Sequence, residues 1–188
     1  MSRAFEDLDG RWLALQVRST WELRIGAGLR ERGYEEFVPL YRQKRKWSDR
    51  TKIVDTPLFT GYLFVRFDAQ NNQPIIGVPG VIGFVGVNHI PIPIEDSEIE
   101  ALRVITEGVS NYGPCDFLRM GPQEVEIEHG PLAGLKGKIV RFKNQQRLVV
   151  SVELLQKSVF VELDSYDLSM PTPCAQMAMH SYAHALPG

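Results

Sequence analysis

The chain has little of what identifies most enzymes, secreted domains and membrane proteins. Among 188 residues there are two cysteines, Cys115 and Cys174, with no CxxC pair. That usage argues against a disulfide scaffold and suits a reducing cytoplasm. No run approaches the roughly 18 apolar residues needed to span a bilayer, and the N-terminal MSRAFEDLDG is acidic and polar, unlike a secretory signal. We therefore expect a cytoplasmic protein with no membrane partner. There is no glycine-rich phosphate loop, no G-x-S-x-G elbow and no H-E-x-x-H pair. The histidines His89, His129, His180 and His184 are scattered. His180, His184 and Cys174 fall short of the well-placed set that zinc requires. Glu95, Asp96, Glu98 and Glu100 fall at a helix start, where the dipole favours negative charge, so they need no catalytic explanation. The reading at this point is a non-enzyme with no catalytic residue, metal or cofactor.

Net charge is also nearly absent, at −2, but it is unevenly spread. Residues 1–67 hold 13 Lys+Arg against 9 Asp+Glu, and the remainder holds 8 against 14. A chain built to coat nucleic acid is basic throughout. Here a local positive face sits on an acidic body, which makes phosphate contact auxiliary to protein contact.

The positive face is concentrated in RQKRKWSDRTKIVDTPLFTGYLFVRF, residues 42–67. Arg42, Lys44, Arg45, Lys46, Arg50 and Lys52 cannot all enter a core, since buried unpaired charge is too costly. They predict a solvated hairpin turning at Ser48-Asp49. From charge alone, the favoured reading is an edge hairpin whose lysines block edge-to-edge aggregation; its position beside Phe59 and Tyr62 raises the functional one. The loop Pro57-Leu58-Phe59-Thr60-Gly61-Tyr62 follows directly. Such an irregular loop often displays its side chains, and Tyr62 has the mixed character of an interface anchor, although taken singly each aromatic fits a core better. Beside the cations, these aromatics suggest a pocket for an amphipathic helix or coiled coil.

Along the chain, Trp12–Arg18 alternates as a strand with Leu13, Leu15 and Val17 on one face. Ser19 with Glu22, and Ser97 with Glu100, fit capping boxes opening helices that close at Gly33 and Gly108. Strands are predicted from Phe37 into the hairpin and at Tyr62–Phe67, with a short run at Ile82–Val87. Beyond an irregular stretch, short strands recur near Val125, Lys138, Leu148 and Val159, which suggests a small barrel. Fewer than fifty residues can bury only a thin core. The fold class is α+β: an antiparallel sheet flanked by helices, then a small β-barrel. The boundaries are a polar leader 1–9, a first domain 10–107, a linker 108–120, the barrel 121–168 and a disordered tail 169–188.

These residues resemble the NusG family of transcription elongation and antitermination factors over roughly residues 11–168. The first domain resembles its NGN domain through Arg11-Trp12, Arg30-Glu31-Arg32-Gly33, Trp47-Ser48-Asp49-Arg50, the 57–65 segment, Val78-Pro79-Gly80-Val81 and Gly83-Phe84-Val85-Gly86. In the second, Gly130-Pro131-Leu132-Ala133-Gly134-Leu135-Lys136-Gly137 looks like a KOW motif in an SH3-like barrel. The resemblance implies a factor, expected to be monomeric, that docks on the clamp coiled coil of the largest catalytic subunit of bacterial RNA polymerase. Phe59 and Tyr62 match the pocket aromatics, with Gly61 shaping the turn and Trp12 contributing a wall. Clamp closure, suppressed pausing and higher processivity are implied. Leu154, Leu155 and Lys157 match the barrel's contact loop, for a small-subunit ribosomal protein or Rho. Thr60 stands where most relatives have proline, and Gln156 where the general factor usually has glycine. The hairpin and barrel loop look more like the operon-specific paralogs of the RfaH and UpxY type, whose positive hairpin region can touch non-template DNA. Some such paralogs store the second domain as a helical hairpin; here the valine-rich, period-two segments favour strands. The competing reading is an RNA-binding or ribosome-associated KOW protein.

Overall fold

The computed structural model describes residues 7–163, apart from 48–49, 72–73, 89, 116–123, 128 and 143–144. The predicted tail, most of the leader, the Ser48-Asp49 turn and His89, His180, His184 and Cys174 lie outside the described residues. Among the described residues no helix is long and apolar enough to cross a membrane.

The first domain is built around β1 (Trp12–Val17). It pairs antiparallel with β5 (Tyr62–Arg66) on one edge, and with β6 (Val81–Phe84) and β9 (Pro93–Ile94) on the other. The short β2 (Glu36–Phe37) adds outside β5. Because β1 is central, both of its faces are covered, and every residue but Gln16 is buried. Leu13, Leu15 and Val17 face helix α1 (Glu22–Glu31), sharing a core with its Ile25 and Leu29 and with Leu63 and Val65 of β5. Trp12 and Ala14 point the other way, toward helix α2 (Asp96–Gly108) and its Ile99, Leu102 and Ile105. Strand period two and helix period 3.6 thus produce a helix–sheet–helix sandwich.

Two small ribbons project from this body. Strands β3 (Leu40–Lys46) and β4 (Thr51–Pro57) pair with each other as the basic hairpin, and β7 (Gly86–Val87) pairs with β8 (Ile90–Pro91). Pro39, which has no N–H to give a ladder, interrupts the strand expected from Phe37 to Leu40.

The second domain is a five-stranded antiparallel sheet in the order β10-β14-β13-β12-β11. Its members are β10 (Tyr112–Cys115), β11 (Glu124–Glu126), β12 (Lys136–Phe142), β13 (Gln145–Val152) and β14 (Lys157–Leu163). The valine-rich segments are strands, as their alternation predicts. One expectation needs correction: the stretch read as an irregular linker contains β10, which pairs from Tyr112 to Cys115 with β14. Gly113 and Pro114 hide this strand from a propensity reading, and pairing with a pre-existing edge supplies what propensity lacks. A second correction concerns the thin barrel core. Val125, Leu132, Leu148, Val150, Val152, Val159 and Val161 belong to one apolar cluster with Phe59, Ile99 and Leu102 of the first domain.

Neither capping box forms. Helix α1 is preceded by Trp21 and α2 by Glu95, and neither residue gives a side-chain cap. Asp96 and Glu98 in the first turn of α2 serve its dipole instead.

Candidate functional site

The 57–62 loop is held from three sides. The Leu58 N–H donates to the Pro39 carbonyl at 2.9 Å, and the Tyr62 N–H to the Phe59 carbonyl at 3.0 Å. Gly61, at φ 83°, lies in the left-handed region. Its N–H donates to Glu22 Oε1 at 2.7 Å, and its carbonyl accepts from the Val17 N–H at 2.8 Å. Glu22 is a buried carboxylate in the first turn of α1. Its partner is 39 residues away, so the capping pattern gave its local spacing without its use. Thr60 at the tip is exposed.

Phe59 is not displayed. It is 1% exposed, and its ring meets Phe64 edge-on at 5.8 Å between centroids. This is the core placement expected of an aromatic taken singly: the loop's backbone is tied to the sheet end, and the ring points inward. Tyr62 is half-buried, and Lys157 Nζ of the second domain lies 5.9 Å from its ring centroid. Trp12 lies elsewhere. It pairs with Arg66, whereas Tyr62 pairs with Gln16 at the other end of β1, about 13 Å away at strand rise. Its ring is covered by Arg103, 5.3 Å from the guanidinium carbon.

The 154–157 turn of the second domain therefore faces the first domain. Leu155 is buried and Leu154 half-buried in the shared cluster, and Lys157 approaches Tyr62. Gln156 adopts φ 51°, a conformation that glycine takes more easily. Its side-chain amide donates to the Glu153 carbonyl at 2.8 Å, closing the turn that glycine would otherwise form. The Glu153 N–H donates to Glu98 Oε1 of α2 at 3.3 Å. Burial raises the Glu98 carboxyl above its ordinary range, with Glu153 and Glu95 acting in the same direction and two backbone hydrogen bonds opposing. Between α2 and the barrel runs a cleft of roughly 870 Å³, lined by Ala101 and Val104 on one side and by Leu135 and Val150 on the other. At the end of α2 a Cβ on Gly108 would come within 3.3 Å of the Pro131 carbonyl oxygen, so helix and barrel approach closely there.

On the outer side of α2, Arg103 donates to Glu35 at 2.8 Å, and Arg66 reaches the same carboxylate at 3.5 Å. Those bonds hold Glu35 below the usual carboxylate range. This clasp fixes α2 on the sheet independently of the barrel.

All six candidate cations are exposed: Arg42, Lys44, Arg45, Lys46 and Lys52 along the ribbon and Arg50 at its tip. Arg42 is at the base, opposite Asp55. Both border the shallow pocket that Tyr112 lines, where the Tyr112 hydroxyl donates to the Leu40 carbonyl at 2.7 Å.

Fold and site together define a protein of two packed antiparallel sheets. An aromatic loop and a basic ribbon belong to the first, and the 154–157 turn of the second packs against it. The chain belongs to the NusG family: the family model described as transcription termination factor nusG matches residues 10–103, half of the sequence. The transcription termination/antitermination protein NusG of Escherichia coli K12 is 28% identical over 174 residues, covering 82% of this chain and 92% of that protein. The NusG of Thermus thermophilus is 23% identical over 161 residues, covering 79% and 88%. Among solved structures, one described as domain interaction in Thermotoga maritima NusG aligns at 19% identity with a TM-score of 0.47, covering 81% and 92%.

Proposed function

We propose that the chain is a non-enzymatic elongation and antitermination factor that acts on bacterial RNA polymerase in the cytoplasm. Its first domain grips the clamp coiled coil of the largest catalytic subunit through the 57–62 loop, with Tyr62 as the contact side chain. Gly61 shapes the turn, Phe59 is the buried support beneath it, and Trp12 stiffens the sheet behind. The clamp is held closed, and pausing is suppressed. The basic ribbon steadies exposed non-template DNA, and phosphate contact makes that part salt-sensitive. The barrel recruits a small-subunit ribosomal protein or Rho through Leu154, Leu155 and Lys157.

The observation that supports this reading is the approach of the two candidate contact regions to each other. Phe59 and Leu155 share one apolar cluster, and Lys157 lies over Tyr62. A surface that needs covering when idle is the kind that binds when uncovered. Docking therefore requires the barrel to move aside, and the same movement frees its own contact loop.

Co-purification with RNA polymerase tests the reading. The intact chain should retain polymerase, and an Ala101→Glu variant, which wedges a carboxylate between α2 and the barrel, should retain several-fold more. Adding Tyr62→Ala to either should abolish retention while leaving the circular dichroism spectrum unchanged. Tyr62 is the better probe, because emptying the Phe59 site costs about 3–5 kcal/mol of fold stability. Polymerase captured by neither parent, or captured equally by the Tyr62 variants, would overturn the proposal.

A further inference from the structure

The basic ribbon has two chemically different faces. Cross-strand partners in an antiparallel pair point to the same side, and side chains two residues apart share a face. One face carries Arg42, Lys44 and Lys46 opposite Asp55, Ile53 and Thr51. The other carries Gln43, Arg45 and Trp47, with Val54 and Lys52 opposite the first two. Two contacts fix this second face: Arg45 Nε donates to Gln43 Oε1 at 3.2 Å, and Lys52 Nζ lies 5.9 Å from the Trp47 ring centroid. The Trp47 backbone N–H donates to the Arg50 carbonyl at 2.7 Å, which places the backbone of Trp47 at the end of the ladder.

Trp47 is 58% exposed. A large indole in water on a strongly charged ribbon is a poor choice for stability and solubility alone, because lysine or threonine would serve there. Nor does it form an apolar patch for a protein partner. The ribbon's other exposed apolar side chain, Ile53 at 65%, is on the opposite face. What surrounds Trp47 is positive: Arg45 and Lys52 share its face, and the described carboxylate of the ribbon, Asp55, is on the other. Lys52 sits near the outer limit of a cation–π contact, so it can leave the ring for a phosphate at little cost. An exposed indole flanked by cations is the arrangement that binds single strands, where each unpaired base offers a π-face and each phosphate a charge. Duplex DNA offers no free base face to such a platform.

We propose that Trp47 stacks on an unpaired base of single-stranded DNA while Arg45 and Lys52 hold the flanking phosphates. This makes one face of the ribbon the reading face. Lys44 and Lys46 on the other face then add non-specific attraction, and Arg42 belongs to the base of the ribbon. The inference deepens the nucleic-acid role assigned to the ribbon above and rests on that role, not on polymerase docking.

The test is binding of the full chain to a labelled oligo(dT) of roughly a dozen nucleotides, beside a duplex and an oligo(rU) of equal length. Fluorescence anisotropy at about 50 and about 200 mM salt gives affinity and salt slope. Trp47→Ala should weaken oligo(dT) binding by roughly 5- to 150-fold. Its salt slope should stay unchanged, and Trp47→Phe should recover most of the loss. Arg45→Ala with Lys52→Ala should flatten the salt slope instead. Duplex affinity should be indifferent to Trp47→Ala. Oligo(dT) binding that ignores Trp47→Ala, equal losses on duplex and single strand, no rescue by phenylalanine, or tighter binding of oligo(rU) would each overturn the proposal. Polymerase retention should be the same for Trp47→Ala and its parent, so a failure of docking and a failure of stacking are separately visible.

Discussion

The two faces of the first sheet bury similar side chains but end differently. Under α1, Leu13, Leu15 and Val17 meet Ile25, Leu29, Leu63 and Val65 in a core that this domain completes by itself. Under α2, Trp12, Ala14 and Phe64 meet Ile99, Leu102 and Ile105, and the apolar contact then continues past the helix to Val150, Val152 and Leu155 of the barrel. The first core is sealed for good. The second is completed by a unit attached through one short connection, so part of its burial can be exchanged for burial against something else. The difference separates a self-contained face from a shared face within a single sheet.

Deleting side-chain volume from the sealed side should have the largest effect. Leu29 is fully buried, so Leu29→Ala should cost about 2–5 kcal/mol in urea denaturation, with no change in how the domains sit together. Ala101→Glu should do the converse. Small-angle scattering should report a larger radius of gyration, while the urea midpoint of the first domain moves by less than about 1 kcal/mol equivalent, as for a surface change. A loss of fold stability as large as that of Leu29→Ala would mean that the two faces are one cooperative core, and the distinction would fail.

The smallest effect is with pH, and the two sides should respond in opposite directions. The Arg103 hydrogen bond is the main cause of the lowered Glu35 carboxyl, with Arg66 assisting against some desolvation. Its contribution is full above the unfolded carboxyl range and is lost as pH falls through the lower folded value. Glu98 is raised by burial at the domain contact. Its neutral form suits the closed arrangement, so closure is favoured below the ordinary carboxyl range and weakens as pH rises through the raised value. Scattering against pH should show this opening, and Glu98→Gln should flatten it without touching the acid limb that Glu35 controls.

Much of this architecture was legible in the residues. Alternation in Trp12–Val17 located the central strand and its α1-facing triplet, and valine-rich repeats at Leu148 and Val159 identified β13 and β14. Cation density marked the ribbon. What could not be read depends on contacts distant in sequence. Glu22 is spaced as a capping residue, yet it satisfies Gly61, and the preference for that partner exists only once β1 and β5 are paired. Phe59 sits in a Pro/Gly loop of the kind that often displays side chains, but its direction is set by bonds to Pro39, Val17 and Glu22. β10 has a sequence that argues against a strand and becomes one because β14 presents an open edge. Leu154, Leu155 and Lys157 read as a loop for an external partner, and nothing local to them says that they face Tyr62 of the same chain.

The passage from α2 to β10 is Val109, Ser110 and Asn111, and Asn111 already accepts a hydrogen bond from the Glu162 N–H. Fully stretched, such a piece reaches about 10 Å. A barrel displaced as proposed above would therefore swing about this connection without drifting off. That leash would keep it at roughly millimolar local concentration, so that re-closure after such a displacement would need no search. Lengthening the leash with glycine and serine would leave every contact intact and slow only the return.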